Sequence, residues 1–118
     1  MDSYTMPTKR LRLSGESTLD KYDVKLMGRA LRDLDGIYTY IAGTFQEPDT
    51  ALKLVETIER EILSLDHMPY RCPERRRGIY ANRGYRQLLV KNYTVIYRVD
   101  EPNKQVIIVT VRYSPSNF

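Results

Sequence analysis

At 118 residues, with 42% hydrophobic and 29% charged side chains, the chain is long enough for one core and too balanced for whole-chain disorder. Its formal charge is +4, yet six arginines (71, 75, 76, 77, 83 and 86) crowd residues 71–86 against a single acid, Glu74, so the basicity has a definite place. A lone cysteine excludes an internal disulfide, and no run approaches the roughly eighteen apolar residues of a membrane helix. With Lys9, Arg10 and Arg12 followed by no apolar run, no secretory leader is expected, and the cysteine usage suits the cytoplasm.

Residues 1–21 carry no sustained period and several Ser, Thr, Pro and Gly, which predicts a flexible arm ahead of a single domain over 22–118. "KYDVKLM" alternates as a strand, with Tyr22, Val24 and Leu26 on one side. Ala30, Leu31, Leu34, Ile37, Tyr38, Ile41 and Phe45 then recur at three- and four-residue steps, predicting a helix from about Arg29 to Thr44. Pro48 suits the first turn of a second helix, whose stripe is Ala51, Val55, Ile58, Ile62 and Leu65 and which ends near Asp66. Two helices with so short a break form a helical hairpin. Three strands follow, 84–90, 93–100 and 105–113, separated by the short polar breaks Lys91-Asn92 and "EPNK". The expected fold is therefore α+β: an N-terminal strand, an antiparallel two-helix hairpin, and a three-stranded antiparallel meander in a twisted sheet with helices on one face.

Alternation assigns the faces. Tyr93, Val95, Tyr97 and Val99, with Ile107, Val109, Val111 and Tyr113, are expected to face the helices. The opposite, partly open face receives Thr94, Ile96 and Arg98, with Val106, Ile108, Thr110 and Arg112, and Arg86 is placed with them. Guanidinium groups there suit docking to phosphate or carboxylate, which they grip bidentately. Arg75, Arg76, Arg77, Arg83, Lys91 and Arg98 are accordingly candidates for binding a target or an acidic partner. Against this stands the simpler reading of the arginine loop as a solvated connector, or one paired to Glu56, Glu59 and Glu61.

Other chemistry finds little support. One histidine, His67, and one cysteine, Cys72, fall short of the usual nitrogen–sulfur shell for a metal, and "RRGIYANRGYR" lacks the glycine spacing of a phosphate cradle. No metal and no small-molecule cofactor is expected.

The segments "ALRDLDGIYTYIA", "VETIEREILSL", "YRQLLVKNYTVIYRVDE" and "VIIVTVRY", in this order over roughly residues 22–118, resemble the RelE/ParE superfamily of toxins from bacterial type II toxin–antitoxin modules. The resemblance implies a growth-inhibiting toxin of a plasmid-stabilisation type system, silenced by a cognate antitoxin. It also implies one of two targets: DNA gyrase for ParE-like members, or ribosome-bound mRNA for the RelE-like ones. For the latter, Arg86 matches one basic position, Arg112 or a residue just beyond it lies near another, and Tyr113 beside Arg112 is a third catalytic candidate, but Leu88 and Thr94 stand where further basic residues belong. RNA cleavage also needs a general base, a role that arginine fills poorly and that Tyr113 or Lys91 fills only with a depressed pKa. These departures argue against nuclease chemistry, and the two regular helices with the ParE-like pattern "DLDGIYTYI" tip the expectation slightly toward gyrase, with an mRNA endonuclease as alternative. A non-enzymatic nucleic-acid binder, or a degenerate toxin that only binds its antitoxin, completes the set.

Overall fold

The strand–helix junction at Met27–Gly28 organises the chain: extended backbone at Met27 passes straight into a helix with no loop between them. The computed structural model describes residues 3–5 (backbone only), 21–116 and 118; the rest of the expected arm, residues 1, 2 and 6–20, lies outside it. Within that arm, β1 (Ser3–Thr5) pairs antiparallel with β2 (Asp23–Met27). Helix α1 (Gly28–Thr44) closes on Phe45, whose N–H donates to the Ile41 carbonyl, and Gln46 turns the chain with a left-handed φ of 53°. Pro48 then opens α2 (Pro48–Leu63), where its missing N–H costs nothing. A short 3-10 turn at Ser64–Asp66 ends the helical part, near the expected boundary.

After the loop come β3 (Arg86–Val90), β4 (Tyr93–Asp100) and β5 (Gln105–Tyr113), joined as the expected meander. The sheet order is β1-β2-β5-β4-β3, and β2 runs parallel to β5. The sheet is therefore mixed, which strand patterns alone did not indicate. A parallel neighbour needs a long crossover, and the helix pair supplies it.

Val24, Leu26, Ala30, Leu34, Ile58 and Ile62 join Val95, Tyr97, Val106 and Ile108 in one core between helices and sheet. On β4 the expected inward set is observed. On β5 it is half corrected: Ile96 pairs with Thr110 and Tyr97 with Ile108, so Val109 is an unpaired bulge. An extra residue reverses the facing of everything beyond it. Val111 and Tyr113 face the helix side as expected, whereas Val106 and Ile108, not Ile107 and Val109, fill the core on the near side of the bulge.

Candidate functional site: an arginine-clamped sheet face

Pairing fixes where each arginine points. Arg86 lies opposite Tyr97, Leu88 opposite Val95 and Val90 opposite Tyr93, so these three β3 residues share the helix-side face. Arg112 lies opposite Thr94, on the other face. The expectation that Arg86 and Arg112 share a face is thus corrected. Both parities of β3 are apolar, and Leu89, the outward one, is 64% exposed, so alternation could not choose between them.

Arg86 is consumed by its own loop. Its Nη1 donates to the carbonyls of Cys72 (2.6 Å) and Tyr70 (3.3 Å), its Nη2 stands 3.7 Å from Glu74, and the guanidinium lies over the Tyr70 ring. Tyr113, half exposed, packs edge-on against Tyr93 on the helix side, away from Arg112. The three catalytic candidates are therefore divided between two faces.

The second face is not open. Residues 73–75 run along the β3 edge: the Gln87 N–H donates to the Pro73 carbonyl and the Arg75 N–H to that of Tyr85. From this edge the Arg75 side chain crosses the sheet and is 2% exposed. Its Nε donates to the Arg77 carbonyl, its Nη1 to Gln87 Oε1 and its Nη2 to the Phe118 carbonyl, each at 3.0 Å. Burial, with the Arg77 charge second, lowers the Arg75 pKa. Its guanidinium stands 4.3 Å from the centre of the Phe118 ring, and that of Arg112 stands 5.4 Å from the same ring. Gln87, Ile96 and Thr110 are consecutive across the ladder, and the Arg75–Phe118–Arg112 stack bridges from the first to the last, with Ile96 fully buried between them.

Arg112 is aimed by a relay. Its Nε donates to Thr110 Oγ1 at 3.0 Å, the Thr110 hydroxyl donates to Asp33 on α1, and Asp33 also accepts the Val111 N–H at 3.0 Å. Past Ile108, β2 has become α1, so Asp33 serves the β5 groups that no strand reaches.

The remaining candidates are peripheral. Arg76, Arg77, Arg83, Lys91 and Arg98 are exposed; Arg83 donates to the Ile79 carbonyl, Lys91 holds the β3–β4 turn with a left-handed φ of 55°, and Arg98 faces the same side as Arg112. Among the described residues the α2 glutamates make no ion pair with the arginine loop, so the paired form of the connector reading finds no contact. His67 is bound to Asp66 after α2, and no group of three metal-ligating side chains gathers among the described residues. No helix among the described residues is long and apolar enough to cross a membrane.

Sequence reasoning missed Phe118, Gly78, Gln87 and Asp33. Gly78 has a φ of +76°, and a Cβ there would stand 1.8 Å from the Phe118 carbonyl oxygen. A glycine among arginines was the one visible signal, and it carries a close approach of two backbones. It also missed a groove on the helix side. Gly36, Ile37, Tyr40, Ile41 and Phe45 of the α1 end, with Tyr93 and Tyr113, enclose about 530 Å³ of mostly apolar space. The apolar stripe predicted for α1 is buried at Ala30 and Leu34 but runs on, uncovered, to Phe45 at 57% exposure.

Comparison with known proteins agrees with this architecture. None of the curated proteins compared with the chain matches it. Among solved structures, the chain is similar to one from the chromosomal ParDE toxin–antitoxin system of Pseudomonas aeruginosa, with TM-score 0.62 and 23% identity, covering 75% of this chain and 90% of that one. It is also similar to a chain of the RelBE2 toxin–antitoxin complex of Mycobacterium tuberculosis, with TM-score 0.56 and 21% identity, covering 83% and 97%. The family model for the ParE toxin of the type II toxin–antitoxin system parDE matches residues 24–117, nearly the whole folded domain, and the chain belongs to that family of toxins.

Proposed function

We propose that this ParE-family toxin arrests growth by binding DNA gyrase through the Arg112 face, without cutting a nucleic acid, and that an antitoxin silences it by filling the groove at the end of α1. The observation that carries the first part is the separation of Arg86, Arg112 and Tyr113. Cleavage through a ribose 2′-hydroxyl needs a base, an acid and charge stabilisation converging on one phosphate. Arg112 instead sits with Arg75, Thr110 and Phe118, none of which takes up or releases a proton readily near neutral pH. Such a face suits recognition of an acidic surface.

The groove supports the second part. A helix whose stripe extends beyond its own sheet leaves apolar area that a partner helix could cover, and the similar solved structures come from toxin–antitoxin assemblies.

Induction of the chain alone in bacteria should stop growth, and co-expression of the antitoxin should restore it. Purified protein added to gyrase should abolish plasmid supercoiling and leave ribosome-bound mRNA intact. Cut mRNA with unimpaired supercoiling selects the nuclease reading, and normal growth with abundant folded protein removes both.

A further inference from the structure

The tail after β5 is an unusual partner for two arginines. Arg75 is buried, and its hydrogen bonds end on the Arg77 carbonyl, the Gln87 side-chain oxygen and a main-chain oxygen of Phe118. A buried guanidinium is costly unless its donors are met, and it is held here by those oxygens and the face of one aromatic ring. That ring, Phe118, is shared with Arg112.

The seat for the tail is specific. Gly78 lets the Phe118 carbonyl come within a distance that no other residue type allows. The Ser114 N–H donates to the Asn92 carbonyl, Ser114 Oγ meets Thr94 Oγ1 at 2.7 Å, and the Ser116 N–H returns to the Tyr113 carbonyl. The chain thus reverses just after β5 and brings Phe118 back over Arg112. Yet the tail is not buried throughout. A polar recess of about 240 Å³, lined by Arg77, Gly78, Ser114, Pro115, Ser116 and Phe118, lies beside it, and Pro115 and Ser116 are exposed.

We propose that Phe118 is an intramolecular latch: its ring occupies the gap between the Arg75 and Arg112 guanidiniums, and release of the tail opens that gap to an anionic partner. The tail regulates the same Arg112 face on which the functional reading rests. Latched, the face presents a ring edge and two cations turned toward it. Released, it presents two guanidiniums free to grip phosphate or carboxylate bidentately. The contacts that hold the ring are individually modest, so an acidic partner can compete with them.

The test is salt-dependent binding of a labelled single-stranded oligothymidylate, used as a polyanion, to the full chain and its variants. Each guanidinium freed to meet a phosphate should steepen the plot of log affinity against log salt by about 0.7. Phe118→Ala should steepen the slope by about 0.7 to 1.4 relative to the unaltered chain. Gly78→Ala, which leaves the ring chemistry intact but unseats the tail, should do the same and decides the matter if Phe118→Ala fails to fold. Adding Arg112→Gln to either should take back about 0.7 of the gain. An unchanged or shallower slope in folded Gly78→Ala and Phe118→Ala would overturn the latch and leave the tail as packing. Growth arrest and supercoiling are not read in this assay, so the latch and the target fail separately.

Discussion

Replacing Asp33 by alanine should destabilise the fold far more than a half-exposed helix residue ordinarily does. One carboxylate oxygen accepts both the Thr110 hydroxyl and the Val111 N–H, in the stretch of β5 that has lost its β2 neighbour. Hydrogen bonds to a charged group contribute about 1.5–3 kcal/mol each, and a buried donor left unmet costs about 1–3 kcal/mol. Thr110 is fully buried, so water does not readily replace the lost acceptor there, although it can partly reach the backbone edge. The net loss should be about 2–4 kcal/mol. Urea unfolding measures it as a lower midpoint at unchanged slope. Thr110→Val removes one of the two bonds, and a double-mutant cycle with Asp33→Ala should return a coupling of about 1–2 kcal/mol. A loss below about 0.5 kcal/mol for Asp33→Ala, or additive effects of the pair, would show that Asp33 is a surface residue of no special role.

Charge reversal at Arg86 should harm the fold before it harms function, because the new carboxylate would face the Cys72 and Tyr70 carbonyls and Glu74; a loss of about 2–3 kcal/mol in urea unfolding is expected, and an unchanged midpoint would contradict it. Glu101, in the β4–β5 turn, is held down to a pKa of about 2 by hydrogen bonds from Lys104, then Tyr70 and Tyr22. Its folded value lies below the ordinary 4.5, so its stabilising contribution is full above about pH 4.5 and is lost as the pH falls toward 2. Glu101→Gln should flatten the stability profile in that window, and an identical acid limb would refute the assignment. Ile41→Asp, in the groove, should weaken antitoxin binding at least tenfold by calorimetry while leaving gyrase inhibition intact; undiminished binding would move the antitoxin elsewhere.

Regular elements were legible because their signals are local. The α2 stripe, Pro48 at a helix start and the β4 alternation each state their role within a few residues, and β4 and β5 carry the expected bounds. Parallel pairing of β2 with β5 was not legible, since it depends on how the crossover closes. Nor was the bulge at Val109, where "VIIVTV" offers apolar residues at both parities and nothing marks the extra one. That single slip, together with the same ambiguity at Leu88 and Leu89, decides which arginines meet. The clamp on Phe118 joins residues 43 positions apart in sequence, through a glycine contact that no local period encodes. Of the basic residues named from sequence, Arg112 and Arg75 lie in the clamp, and Arg86 serves the loop instead.

Gyrase supercoiling in the presence of purified Arg112→Glu protein tests the account most directly, since the proposal assigns target contact to the face that Arg112 marks. Inhibition should fall at least tenfold while the unfolding free energy from urea titration stays within about 1 kcal/mol of that of the unaltered chain. Full inhibition by folded Arg112→Glu would place the target contact on another surface.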